Sequence, residues 1–215
     1  MMVATVISNF LIARSGRVLI AALAACAIDA FPASAGPERL THAPVSEVTR
    51  PPVGWIELCA RQPDECAGPI MAPRDFALTP RAWKDLVRVN KRVNETIKPL
   101  SDLEHWGAVE HWSYPDDGYG DCEDYVLLKR RMLIQSGWPR EALLVTIVHD
   151  KKDEGHAVLT VTTNKGDYVL DNQKEHILLW WKTGYRFVKR QSRSDPNVWV
   201  LLGNPRRAIA TATSR

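Results

Sequence analysis

The sequence predicts an α+β domain in which helices come first and an antiparallel sheet follows. Three observations carry this. Apolar residues recur at helical spacing after Thr79 and again after Cys122. From Leu143 onward the pattern changes to short β-branched runs, one of which alternates strictly. Asn164-Lys165-Gly166-Asp167 then gives a hairpin signal between two such runs. Helices followed by consecutive strands is the α+β order.

The chain has 215 residues, 45% hydrophobic and 25% charged, which suits one packed domain with flanking segments. The net charge of +3 is mild and evenly spread, so no nucleic-acid partner is expected. The expected divisions are a signal peptide at 1–35, an extended lead-in at 36–54, a domain at 55–203 and a flexible tail at 204–215.

Arg14 and Arg17 precede an apolar run from Val18 through Ile28, and Ala33-Ser34-Ala35 supplies a small-x-small cleavage site. This reads as a secretory signal and predicts a periplasmic or secreted protein. The run ends at Asp29 and Pro32, short for a membrane span. Leu23-Ala24-Ala25-Cys26 resembles a lipobox and offers lipidation at Cys26 as the alternative. Of the other three cysteines, Cys59 and Cys66 flank Pro63 and are expected to form a disulfide after export. No second cysteine pair completes a zinc set with them. Cys122 is left single.

Residues 36–54 are proline-rich and weakly periodic. Thr79 then offers an N-cap and Pro80 fits the first helical position. Trp83, Leu86, Val87, Val93 and Ile97 give the apolar spacing, and Pro99 stops the helix. A loop with Trp106, Trp112, Tyr114 and Tyr119 leads to Gly120. The second helix runs from about Cys122 to Gln135, with Glu123 and Asp124 in its first turn, Lys129, Arg130 and Arg131 further along, and Gly137 at C′. Val126, Leu127, Leu128, Met132, Leu133 and Ile134 cover most of its circumference, which predicts a central, buried helix.

Strands follow at Leu143–Val148, 156–162, Tyr168–Asp171, Tyr185–Gln191 and Val198–Leu201. In the second of them Ala157, Leu159 and Val161 face one side, and His156, Val158, Thr160 and Thr162 the other. The Trp180-Trp181 pair reads equally as core or as substrate-facing.

Cys122 sits at a glycine-preceded helix start. Free N–H groups and the positive end of the helix dipole favour a thiolate there. His156, on a strand downstream, is placed to act as base, and Asp171, on the next strand, to orient it. Antiparallel partners joined by a turn of two or four residues have numbers that sum to an odd value, so His156 and Asp171 share a face. Direct opposition needs a sum of 327 and a turn near Thr163-Asn164; a turn centred on Lys165-Gly166 leaves them four residues out of register. Taken singly, each residue has a plain structural reading: a small buried hydrophobe, a satisfied strand histidine, a turn aspartate. The three in this order make the stronger case.

Gly120-Asp121-Cys122-Glu123-Asp124-Tyr125, Gly155-His156-Ala157-Val158-Leu159 and Leu170-Asp171-Asn172 resemble the three catalytic blocks of the bacterial transglutaminase-like cysteine proteinases. The resemblance covers most of the chain from about Trp55 to Leu201. It implies a papain/transglutaminase-like fold, with the nucleophile at a central helix start packed on an antiparallel sheet. It also implies Cys-His-Asp catalysis by Cys122, His156 and Asp171 through an acyl-enzyme. The Cys122 N–H is the expected oxyanion donor, with the Trp112 indole N–H as a second candidate.

The acids beside the nucleophile need their own account, since Asp121, Glu123 and Asp124 repel a thiolate. They read either as helix-dipole partners or as calcium ligands, and the resemblance implies calcium. Ca²⁺ takes about six to eight oxygens, so backbone carbonyls, water, Asp116 or Asp117 would complete the set. No organic cofactor is expected. The partners implied are a protein substrate, such as a cell-surface adhesin, and an inner-membrane regulatory receptor. The rival readings are transglutaminase-type acyl transfer, peptidoglycan amide cleavage, and a non-catalytic calcium-dependent binding module.

Overall fold

A computed structural model describes residues 41–70 and 72–203. The signal peptide, the Cys26 lipidation alternative and the tail at 204–215 lie outside the described residues. Strand β1 is Val45–Thr49 and helix α1 is Val53–Arg61. Helix α2 is Pro80–Thr96, strand β2 Lys98–Pro99, helix α3 Asp102–Trp106, strand β3 Tyr119–Gly120 and helix α4 Cys122–Gln135. Strands β4 (Leu143–His149), β5 (Gly155–Thr163), β6 (Gly166–Leu170), β7 (Leu178–Leu179), β8 (Arg186–Gln191) and β9 (Trp199–Leu202) follow.

Seven strands form one antiparallel sheet in the order β1-β9-β8-β4-β5-β6-β7. This is the α+β architecture expected. The Val45–Thr49 strand departs from the expected lead-in, because it pairs with β9 at the sheet edge. Four of its five residues are exposed, so its side chains carry no inside–outside alternation. Helix α1, whose buried positions are Gly54, Trp55 and Leu58, carries Cys59 and was not among the helices expected from the sequence. The Cys59–Cys66 disulfide is present.

The two long helices start differently, α2 on a side-chain cap and α4 without one. Thr79 accepts the Ala82 N–H at 3.1 Å and Pro80 takes the first position. Asp121 stands at the N-cap of α4 without capping it: its carboxylate accepts the Asp102 N–H of α3 at 3.2 Å. Gly137, at φ 90°, lies one residue past the C-cap of α4.

Ala157, Leu159 and Val161 of β5 pack into the main core with Leu127 and Leu133 of α4 and Leu86 and Val93 of α2. On the other face Val158 and Val169 pack with Trp180, Tyr185 and Phe187. Trp180 is therefore core. Two basic residues of α4, Lys129 and Arg130, are also buried, where the sequence pointed only to a favourable place along the helix dipole.

Candidate active site

Helix α4 delivers Cys122 to strand β5. The thiol is only partly exposed, and its sulfur accepts the backbone N–H of Ala157, the residue after His156, at 3.4 Å. Gly120 makes this start possible. A Cβ there would come within 2.7 Å of the Asp124 carboxylate. That carboxylate accepts the Ser113 N–H at 2.7 Å, tying the preceding loop to the helix.

His156 and Asp171 are both buried, and His156 Nε2 lies 2.9 Å from Asp171 Oδ1. An ionised carboxylate only accepts, so Nε2 carries the proton of this bond. Nδ1 is then the nitrogen left to exchange a proton with the nucleophile. The hairpin register shows how the pair meets. Leu159 pairs with Leu170 and Thr163 with Gly166, so partners sum to 329 and the turn centres on Asn164-Lys165. His156 and Asp171 are offset by two residues on one face, a diagonal that long side chains bridge. No bulge is required.

Asp171 is held from several sides. Its Oδ1 also accepts the Gln173 N–H at 2.9 Å, and Oδ2 accepts the Tyr185 hydroxyl at 2.5 Å. Asn94 of α2 donates to its backbone carbonyl at 2.9 Å. Burial pushes the Asp171 carboxyl up, but bonds from His156, Tyr185 and Gln173 and the nearby imidazole outweigh it, and the group sits below its usual range. Sequence reasoning missed Tyr185 and Asn94, since neither lies in a chemical motif.

The thiol meets a different environment from the one its helix start suggests. Burial, then the charge of Glu123, raises it well above the ordinary cysteine range. Sγ donates to Glu123 Oε2 at 3.1 Å, and among the described residues no hydrogen bond joins it to the imidazole. In this arrangement burial, with the acids adding to it, overrides the helix terminus.

Those acids form a cluster of three, Asp102, Asp121 and Glu123, with one oxygen of each within 4.8 Å of the others. Asp102 was not among the expected ligands. Asp124 was, but it is not in this group of three and is engaged with Ser113 instead. Burial, then the charge of Asp121, pushes Glu123 up to about 10. Burial also takes Asp124 to about 8. Among the described residues, Asp121 Oδ1 and Asp124 Oδ2 are buried without a hydrogen-bond partner. Buried, mutually repelling carboxylates with unsatisfied oxygens suit a hard cation, and the donor set fits calcium. Asp116 and Asp117 instead pair with Arg131 and His105.

Trp112 is placed for packing. Its indole N–H donates to Glu110 Oε2 at 2.8 Å and its ring lies edge-on to Trp55. A Cβ on Gly54 would overlap that ring. The indole N–H expected as an oxyanion donor is thus already engaged. The Cys122 N–H, at the first position of α4, precedes the helical hydrogen-bond ladder and stays available for that role.

Residues 45–207 match the family of bacterial transglutaminase-like cysteine proteinases, BTLCP. The chain belongs to this family. It is a transglutaminase-like cysteine peptidase, and a peptidase implies a protein substrate. No curated protein matches it. Among solved structures, calcium-bound LapG of Legionella pneumophila is similar, at TM-score 0.49 and 21% identity over 64% of this chain and 83% of that one. A second LapG structure from the same organism gives TM-score 0.48 and 25% identity, over 58% of this chain and 71% of that one. An EGTA-treated form gives 0.48 and 23%, over 63% and 80%.

Proposed function

We propose that this peptidase is an exported endopeptidase that cleaves a protein substrate with Cys122 as nucleophile, His156 as base and Asp171 as orienter. One observation carries the reading: the 2.9 Å His156–Asp171 bond lies beside the amide that contacts the Cys122 sulfur. His156 Nδ1 takes the thiol proton and Sγ attacks the scissile carbonyl carbon. The developing oxyanion is met by the Cys122 N–H. Nδ1–H then protonates the leaving amine. Water, deprotonated by the same nitrogen, releases the acyl group and regenerates the thiol. Throughout, Asp171 keeps the Nε2 proton in place and favours the imidazolium.

Asp102, Asp121 and Glu123 would hold a calcium ion, with further oxygens completing the set. When bound, the ion supplies positive charge that offsets the carboxylate repulsion on the thiolate. The signal pattern ending at Ala35 supports export, and mass measurement of the mature N-terminus checks it. A cell-surface adhesin as substrate and an inner-membrane receptor as regulator rest on the motif resemblance.

The deciding experiment labels the protein with a thiol-directed electrophile and compares surface proteins with and without the enzyme. Labelling of Cys122 that falls in His156→Ala, together with new N-termini that vanish in Cys122→Ala, is the expected result. Incorporation of an amine without new N-termini would assign acyl transfer instead. Labelling indifferent to His156, with no cleavage, would leave a binding module.

A further inference from the structure

We propose that Tyr185 is a positioning residue for the reaction, its hydroxyl fixing the Asp171 carboxylate so that Oδ1 faces His156 Nε2. This rests on the Cys122-His156-Asp171 reading.

Asp171 lies one residue beyond the end of β6, so the hairpin register brings it near His156 but does not fix the rotation of its carboxylate. The carboxylate must be oriented by what surrounds it. Oδ1 is shared by His156 and the Gln173 N–H, and Oδ2 is taken by Tyr185. Without the Oδ2 bond, the carboxylate could rotate about its last bond and offer either oxygen, or both unevenly, to the imidazole.

Tyr185 is itself held by a built turn. Gly184 has φ 78°, a left-handed backbone that suits glycine. Thr183 Oγ1 donates to the Trp180 carbonyl at 2.8 Å and accepts the Tyr185 N–H at 3.2 Å. The ring packs into the apolar cluster with Val148, Val158 and Phe187 and stands edge-on to the His156 imidazole, 5.8 Å between centroids. Phenylalanine would fill that apolar space as well as tyrosine does. The hydroxyl is therefore what distinguishes the position, and its acceptor is the triad carboxylate.

The charged and titratable groups acting on this pair are few. His156 reaches Asp171 from β5, and Lys129 acts on it from α4. Asp150, after β4, acts on Tyr185. Helix α2 contributes the neutral Asn94. Removing a donor from an ionised carboxylate raises its proton affinity. Loss of the hydroxyl thus moves Asp171 protonation to higher pH.

The test uses the full chain with Tyr185→Phe, and with 3-fluorotyrosine at 185 as a form that keeps both fold and hydroxyl. Turnover is read with an N-acylalanine p-nitrophenyl ester, and Asp171 protonation by the ¹³C shift of its carboxyl carbon. The expected result for Phe is a kcat lower by about tenfold with KM unchanged, and an Asp171 midpoint at higher pH. Fluorotyrosine, a stronger donor, keeps kcat near wild type and moves the midpoint lower. Equal kcat and an unmoved midpoint in the Phe variant overturn the inference. A Phe variant that fails to fold leaves the fluorotyrosine midpoint to decide, and a midpoint equal to wild type there overturns it too. Wild-type ester turnover indifferent to His156→Ala would instead sink the triad reading, and the carboxyl titration still judges Tyr185 in that case.

Discussion

The Cys122 sulfur donates to Glu123 Oε2 at 3.1 Å, so the nucleophile shares its proton with an acid of the candidate cation cluster. With Glu123 raised to about 10 by burial and by Asp121, this residue holds a proton at neutral pH. A cation it is to ligate must displace that proton. Calcium binding is therefore expected to release protons at pH 7 and to weaken as pH falls. Calorimetry in two buffers of different ionisation enthalpy measures this. Binding without proton release would exclude Glu123 as a ligand.

The same contact predicts the behaviour of the thiol. Once Glu123 ionises, near pH 10, its charge is the largest acting against the thiolate, and Glu123→Gln removes it, leaving burial as the main cost. Alkylation of Cys122 in a chelator should quicken by about tenfold, one pKa unit, at that pH, and lose most of its response to added calcium. Iodoacetamide kinetics across pH gives the answer. An unchanged rate would show that Glu123 does not restrain the nucleophile.

Arg130 provides a stability prediction. Its side chain is 2% exposed and its ion-pair partner is Glu65, at 2.9 Å. Glu65 also accepts the Tyr114 hydroxyl and directly precedes Cys66 of the disulfide. Glu65→Gln leaves a buried guanidinium without a counter-charge and should cost about 3 kcal/mol in urea unfolding. Reducing the disulfide frees the loop that carries Glu65, so a smaller loss of the same sign is expected from Cys59→Ser with Cys66→Ser.

How far these features could be read from sequence depended on where the signal was local. Thr79-Pro80 and Gly137 fixed helix ends because capping chemistry is decided by adjacent residues. The parity of His156 and Asp171 followed from the strand period, but the register did not. It depends on which residues of Asn164-Lys165-Gly166 form the turn, a choice of two positions that shifts every partner. Strand β1 was illegible because an exposed edge strand has no buried face to mark it. Asp102, Tyr185 and Asn94 reach the site through tertiary contacts, across 19, 14 and 77 residues, and no spacing rule encodes these. Asp124 was grouped with its neighbours by adjacency, yet the backbone of Ser113 claims one of its oxygens.

Lys129 shows what a buried charge costs when packing demands the position. It lies on the core side of α4, and among the described residues its Nζ has no hydrogen-bond partner. Burial lowers it to about 7, with Asp171 acting in the opposite sense. The unfolded chain, with lysine near its ordinary value of about 10.4, binds more protons than the folded one between these two values. Stability should then rise with pH from about 7 to about 10, the burial penalty being fully felt below that window and relieved above it. Lys129→Met, similar in length and apolar, should flatten this slope and raise stability at pH 6. It should also move Asp171 protonation to higher pH, because a favourable charge is gone. Urea unfolding of both proteins at pH 6 and pH 9 checks the first part. If the methionine variant kept the wild-type slope, Lys129 would have to be charged and compensated in the folded state.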